Sequence, residues 1–540
     1  LLSLQEKRRV TAVGMSFTCV YVGLLVRLYY VQIVYHDFFT NLGNQQYSVT
    51  IKQPAKRGTM TDRNGIALAI NSSACSAFIM PNNLHHKDKL LSFLQEHMPE
   101  AYIMFQVRHD KNFMFIARHM NKVLESKVKE INNKDILFIQ EPARTYPYQT
   151  CAPIVGTVDT DNQGISGLEL ALNQTFAGTP STYHLQKDAH SGNYYFEKEQ
   201  IAQGTDGTDV QLTIDASLQF LLHKKLTKHA HTMNCNEGGI IVLDPETGDI
   251  LTMANFIHNP SPAEKTRNCC IANAYEFGSI CKLFVAAAAL EEKLVTSDEL
   301  LDCKNSKTVR IDGRTINTWK AHGIIPFKEV IAKSNNIGIA VVAKRLNTVL
   351  YEHYKALGFG KKIKIPLPGK HSGFVNHPAH WSKQSLISLS YGYELSVTLL
   401  HLAAAVATFA HDGYKVYPRL LLSDPVRLGK KLYSSETVES IQDILQETTT
   451  NGTAHHAQIK GYTILCKTGS AHMLVDGVYN KDKNIYSCVG IVQKDTYKRV
   501  VAVYVQKTGE GQKHTFASTI AAPLFEKVAR CMLIHDHVIS

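Results

Sequence analysis

Three short groups of polar residues could do chemistry together. Ser279-Ile-Cys-Lys282 opens an apolar stretch, LFVAAAAL over 283–290. Residues three apart share a helix face, so the Lys282 amine can reach the Ser279 hydroxyl and take its proton. The N-terminal end of a helix also favours negative charge on the attacking oxygen. Such a base must be partly neutral, and burial beside a second cation lowers an ammonium pKa. Ser334-Asn-Asn336 follows 55 residues later. It offers a hydroxyl that could relay a proton and an amide that could hold a substrate carbonyl; the plain alternative is a polar helix cap. Lys467-Thr468-Gly469-Ser470 comes a further 133 residues on, ending the strand-like run GYTILC. Lys467 supplies positive charge, Thr468 and Ser470 supply hydroxyls for a carboxylate, and Gly469 lets a substrate backbone lie close to a strand. The chemistry of such a set is acyl transfer through a serine ester.

Two of these groups occur twice. Ser126 to Lys129 repeats the first spacing inside the charged stretch NKVLESKVKEINNKD, where both side chains read as solvated. Lys507-Thr508-Gly509 repeats the third, after the last strand-like run, and reads as a surface turn. Only the 467 copy is followed by two further strands. Cys281 is a rival nucleophile by position. At 100° per residue it lies about 200° round the helix from Ser279, whereas Lys282 returns to within about 60°. The thiol is therefore expected on the buried side of the helix.

The elements that must position these groups are legible downstream of residue 205. GTDGTDVQLTIDASLQFLLHKKL over 204–226 reads as a glycine-rich linker, a short strand and a helix capped by Asp215. Runs at 239–244 and 250–254 flank Pro245-Glu-Thr-Gly248 as a hairpin. Further strand-like runs cover 462–466, 485–492 and 500–505, with helical stretches at 283–295 and 397–410 and an amphipathic one near 515–534. Residues 36–205 are mixed, with turn signals at 62–65, 159–164 and 191–193. The chain divides on this reading into 1–35, 36–205 and 206–540.

Lys7, Arg8 and Arg9 precede an uncharged run of 17 residues, Val10 to Val26. That is about 25 Å of helix against a bilayer core of about 30 Å. The pattern continues to Val34, with Arg27 able to snorkel and Tyr29 and Tyr30 suited to an interface. No small-residue cleavage site follows, so the run reads as an uncleaved single-pass anchor with its N-terminus in the cytoplasm.

Composition narrows the rest. The chain has 540 residues, a net charge of +11 and 44% hydrophobic residues, which exclude a disordered chain. It has no run of five basic residues and no zinc-finger spacing, so nothing supports nucleic-acid binding. Its 11 cysteines show no framework spacing and read as buried thiols. The histidine pairs 229/231, 377/380 and 455/456 come without an HExxH motif, and serine acyl transfer needs no metal or cofactor, so none is expected.

The ordered set S-x-x-K, S-x-N, K-T-G resembles the penicillin-binding proteins and serine β-lactamases. The resemblance extends upstream. Arg57-Gly58-Thr-Met-Thr-Asp62-Arg63-Asn64-Gly65, Arg144-Thr-Tyr-Pro147 and Gly164-Ile-Ser-Gly167-Leu-Glu169 look like the pedestal of class B penicillin-binding proteins. Tyr391-Gly-Tyr-Glu-Leu-Ser-Val-Thr398 is similar to a segment of their transpeptidase domain. Nearly the whole chain is covered, and the division-type, FtsI-like branch of Gram-negative bacteria is the most similar. The resemblance implies an α/β (α+β) fold. Its parts would be a transpeptidase domain with an antiparallel sheet between helices, a mixed N-terminal pedestal and one transmembrane helix. It implies Ser279 as acylated nucleophile, Lys282 as base, Ser334 and Asn336 on the opposite wall, and Lys467 and Thr468 binding and polarising. The N–H groups of Ser279 and Ser470 would form an oxyanion hole. The implied activity is D,D-transpeptidation of peptidoglycan stem peptides in septal wall synthesis, with covalent binding of β-lactams. The enzyme would sit in the bacterial inner membrane with its catalytic domain in the periplasm, beside a separate glycosyltransferase and division proteins. The rivals are a D,D-carboxypeptidase or β-lactamase, and a non-catalytic division scaffold. Phe277, Leu283, Lys370 and Ser470 depart from the residues usual in the family, and Cys281 sits inside its first motif.

Overall fold

A computed structural model describes residues 3–108, 113–131, 133–187, 194–509 and 515–539; the turn signal at 191–193 lies outside them. Five strands make the sheet that carries the site: β1 (Glu237–Leu243), β2 (Ile250–Ile257), β3 (Thr463–Val475), β4 (Val478–Lys494) and β5 (Tyr497–Thr508). Their order is β2-β1-β5-β4-β3, antiparallel throughout. The hairpin read from Pro245-Glu-Thr-Gly248 is the β1–β2 pair.

Every residue of β1 is buried, because helices cover both faces of the sheet. Successive strand residues point to opposite faces. Ile241 and Leu243, with Val500, Ala502 and Tyr504 of β5, enter one core, while Ile240 and Val242, with Val501, Val503 and Val505, enter another. Helices α1 (Ala216–Thr232), α2 (Cys281–Glu291), α3 (Asn336–Leu346), α4 (Leu399–Ala410), α5 (Ser435–Thr450) and α6 (Ala517–His535) complete these layers. Asp215 caps α1, accepting the Leu218 N–H at 2.9 Å. α1 and α6 feed the second core, whereas α2 and α4 feed the first.

Two strand ends differ from the sequence reading. β3 runs on through Lys467–Ser470 instead of ending there. β5 continues through Lys507 and Thr508, paired with Asn484 and Lys483, so the second K-T-G closes a strand and is not a free turn. Polar residues hid both ends: β4 is 17 residues long and supplies backbone partners where the apolar pattern has stopped.

The upstream motifs of the same unit, 58–176 with 209–540, are held by two sets of buried polar contacts. Arg144 Nε pairs with Glu169 Oε1 at 2.8 Å, and both side chains are fully buried. Arg144 also donates to the Gly58 carbonyl at 2.6 Å. Buried Asp62 accepts from the Asn64 and Ile66 N–H groups at 2.8 Å and from the Ala216 N–H at 3.0 Å. Removing one partner of a buried ion pair strands the other, which costs about 3–5 kcal/mol.

The other unit comprises 1–57 and 177–208. Its helix over Leu4–Val34 has 31 residues and is long and apolar enough to cross a membrane. Helix His36–Tyr47 follows, then an antiparallel sheet of Ser48–Gln53, Ser181–Lys187 and Tyr194–Ala202.

Candidate active site

Ser279 lies in a single 3₁₀ turn, Gly278–Ile280, that runs directly into α2. Three contacts hold the turn. Tyr275 and Val397 exchange backbone hydrogen bonds of 2.9 and 3.0 Å. The Glu276 carboxylate accepts the Glu394 N–H at 2.9 Å and the Tyr479 hydroxyl at 3.2 Å. Burial pushes this carboxyl up to about 7. The third contact is β3 itself. Gly278 has φ +56°, and a Cβ there would lie 2.5 Å from the Ser470 carbonyl; a Cβ at Gly469 would lie 2.3 Å from the Phe277 carbonyl. Strand and turn can approach this closely only because both positions are glycine. Phe277 is buried, with its ring centroid 6.2 Å from Tyr275 and 6.1 Å from Tyr504.

Lys282 and Lys467 are both 0% exposed. Lys282 Nζ donates to the Ser334 carbonyl at 2.7 Å and to Ser334 Oγ at 3.0 Å. Ser334 presents both atoms from a left-handed backbone, φ +54°, a conformation that costs a non-glycine residue roughly 1–3 kcal/mol. Beside it, buried Asn335 caps α3, accepting the Ile337 and Gly338 N–H groups at 2.9 Å. The cap thus falls on Asn335, and its neighbours Ser334 and Asn336 both line the cleft. Asn336 Nδ2 donates to the Asn317 carbonyl at 2.6 Å. Lys467 Nζ donates to the Thr468 carbonyl at 3.0 Å, Thr468 Oγ1 donates to Thr453 Oγ1 at 3.0 Å, and Ser470 Oγ accepts the Ala517 N–H at 3.0 Å.

Among the described residues, neither lysine has a carboxylate partner. Burial holds the Lys282 amine well below the ordinary lysine value, and the Lys467 charge lowers it further. Burial brings Lys467 down to about 8. These are the conditions under which a lysine serves as a base near neutral pH. Burial instead pushes the Cys281 thiol up to about 12, so it stays protonated and packs as a small apolar group.

The cleft has a volume of about 530 Å³. Of the residues singled out by sequence, Ser279, Ser334, Asn336, Thr468, Gly469 and Ser470 line it, with the two buried lysines behind the wall. The direct contact expected between Lys282 and Ser279 is not made; the lysine turns to Ser334, and Ser279 has no hydrogen-bond partner among the described residues. Such bonds commonly tighten only once substrate is bound. β3 is the outer strand of its sheet, and a free strand edge is a ready template for an extended peptide.

Sequence reasoning missed Trp319, His322, Thr453 and Phe516 on the cleft wall, and it set aside His455, which also lines the cleft, as one of a pair without a metal motif. Thr453 follows an Asn-Gly turn signal that could have drawn notice; nothing local marks the others. The decoy is plain in the structure. Ser126 Oγ bonds the Lys122 carbonyl at 2.9 Å and Lys129 pairs with Glu125 at 2.5 Å, both on helix Lys122–Glu130.

Two family models match the chain. The penicillin binding protein transpeptidase domain matches residues 238–530, and the penicillin-binding protein dimerisation domain matches 52–212. The probable peptidoglycan D,D-transpeptidase PenA of Neisseria meningitidis is 26% identical over 96% of this chain and 91% of its own length. Peptidoglycan D,D-transpeptidase FtsI of Buchnera aphidicola is 26% identical, covering 94% and 92%. The crystal structure of penicillin binding protein 3 from Mycobacterium tuberculosis, complexed with aztreonam, superposes with a TM-score of 0.68 at 22% identity, covering 90% and 98%. That likeness is one of fold.

Proposed function

The chain belongs to the penicillin-binding protein transpeptidase family, and from that membership and the cleft we propose the following mechanism. The enzyme is a serine-type peptidoglycan D,D-transpeptidase. Ser279 Oγ attacks the carbonyl between the two terminal D-alanines of a stem peptide. Its proton passes through the Ser334 hydroxyl to neutral Lys282. The C–N bond breaks, the proton returns to the leaving amine, and D-alanine departs. An amine from a neighbouring stem peptide then attacks the ester, the crosslink forms and Ser279 regains its proton. Lys467 and Thr468 fix the substrate carboxylate, Asn336 holds a substrate amide, and the N–H groups of Ser279 and Ser470 stabilise the oxyanion. A β-lactam enters as the same acyl donor but leaves a slowly resolved ester.

The observation that carries this reading is a half-buried serine at a helix start, served by two buried lysines that have no carboxylate partner among the described residues. The decisive experiment supplies a D-Ala-D-Ala stem peptide with and without an acceptor amine. Transpeptidation yields D-alanine together with a crosslinked dimer. Release of D-alanine with only the shortened monomer would make the enzyme a carboxypeptidase, and steady turnover of penicillin would make it a β-lactamase.

On this proposal the division is anchor 1–35, pedestal 36–205 and catalytic domain 206–540. The enzyme works at the septum beside a separate glycosyltransferase and division proteins of the inner membrane. The three basic residues ahead of the anchor support an N-terminus in the cytoplasm and hence a catalytic domain in the periplasm. Protease added to intact spheroplasts should therefore release a penicillin-binding fragment beginning near residue 36; a domain that becomes accessible only after lysis would reverse the orientation.

A further inference from the structure

A second cavity, of about 660 Å³, shares no lining residue with the serine cleft. Its walls come from the turn after helix Val349–Leu357, from α4, and from strand Tyr414–Val416 with the segment that follows it. Their charge is one-sided. Lys361, Lys362, Lys364 and Arg427 line the cavity, and none of their side chains has a partner among the described residues. Lys415 lines it too, its Nζ donating to the Ala356 carbonyl at 2.5 Å. Arg419 is already committed, its Nε 2.5 Å from Asp249 Oδ1. Against the other five cations stands one wall carboxylate, Asp424.

The fold does not call for this arrangement. Packing like charges around a concavity opposes itself. Lys415 is lowered from the ordinary lysine value first by burial and then by Lys361, and Lys370 likewise by burial and then by Lys362. A concave surface of one sign focuses its field and concentrates counter-ions. The geometry further offers an apolar shoulder, Tyr417, which is 44% exposed. Five cations facing one carboxylate exceed what a single carboxylate ligand can neutralise. Two linked phosphates carry roughly two to three negative charges near neutral pH and a third linked phosphate adds about one more, which approaches the excess. Lysine ammonium groups suit phosphate as point charges, and the Arg427 fork can grip two oxygens at once.

We infer that this cavity binds a diphosphate- or oligophosphate-bearing anion through Lys361, Lys362, Lys364, Lys415 and Arg427. The diphosphate can be free or can be the headgroup of a lipid, and the test separates the two. The full-length chain in phosphatidylcholine nanodiscs is titrated calorimetrically with inorganic pyrophosphate and with tripolyphosphate at constant ionic strength. Saturable binding is expected, stronger for tripolyphosphate. Lys361→Gln, Lys362→Gln and Lys364→Gln combined should weaken it by at least about tenfold. The corresponding three Lys→Arg changes should restore most of it, and Lys507→Gln should leave it unchanged. The penicillin acylation rate should stay at the parent value in every variant, which shows that each is folded. A diphosphate-headed lipid added to the nanodiscs should displace pyrophosphate if the source is lipid, and should leave its affinity unchanged if the source is soluble. Absence of saturable pyrophosphate binding, equal affinity in the triple Lys→Gln variant, or equal competition by chloride at matched ionic strength would each overturn the proposal.

Discussion

Ser279→Ala abolishes covalent labelling by a fluorescent penicillin, whereas Ser126→Ala leaves it at the parent level. Both serines precede a lysine by three residues, so the contrast tests environment and not spacing. The lysine that follows Ser126 is paired with Glu125 and half exposed, which keeps it charged and useless as a base. The lysine that follows Ser279 is buried and depressed. Without the Oγ no ester can form, so the loss is complete, not graded. Cys281 cannot take over, because burial keeps its thiol protonated and its side chain is 0% exposed. Cys281→Ala should therefore keep acylation within a few-fold at a stability cost on the order of 1 kcal/mol. Mass spectrometry of the adduct should place the penicillin on Ser279. Labelling that survives Ser279→Ala, or an adduct found on Cys281, would remove Ser279 as the nucleophile.

Lys282→Met slows acylation by roughly 10²–10⁴-fold, the usual contribution of a positioned general base. Lys467→Ala slows it by at least about tenfold through loss of a charge worth over ~1.4 kcal/mol in the transition state, and Lys507→Ala leaves it near the parent rate. The pH profile separates the two lysines. Lys282 works neutral, so the acid limb of the second-order acylation rate follows its deprotonation. The Lys467 charge is one of the two causes that depress Lys282. Removing that charge raises the Lys282 pKa, and the acid limb of Lys467→Met moves to higher pH. Lys467 works charged, so the parent rate should fall again as pH rises through about 8. Stability runs the other way. A lysine whose folded pKa is depressed leaves the unfolded state holding more protons, so stability rises with pH between the folded and unfolded values. For Lys467 that window opens at about 8 and closes at 10.5. Lys467→Met should then raise the Tm most below pH 8, and the gain should vanish towards pH 10.5. An acid limb that stays in place would show that the two amines are not coupled, and a Tm gain independent of pH would show that burial does not depress Lys467.

The local part of this design was open to reading. A serine and lysine three apart before an apolar run, a hydroxyl and amide two apart, and a lysine-led hydroxyl pair after a strand are all short-range patterns, and their order along the chain carries the family. The hairpin around Pro245-Glu-Thr-Gly248 and the cap at Asp215 are equally local, since turn and cap chemistry involves residues within four positions. The continuous apolar runs in β1 and β5 also announced a sheet, although such runs stopped short of the true ends of β3 and β5, where long β4 supplies backbone partners to polar residues.

The electrostatic state of the site was not legible in this way. That Lys282 turns to Ser334 depends on the left-handed backbone of a residue 52 positions away. That the 467 copy of K-T-G faces Ser279 while the 507 copy does not depends on the strand order β2-β1-β5-β4-β3, which puts β3 at the outer edge beside the nucleophile turn. The cleft walls at Trp319, His322 and His455 likewise arrive from segments with no shared local pattern. Residue types and spacing along the chain determined which groups are available. Only tertiary structure decided which of them are dehydrated, which lack a counter-charge and which face one another, because pKa and contact are set by neighbours that chain folding brings together from far apart in sequence.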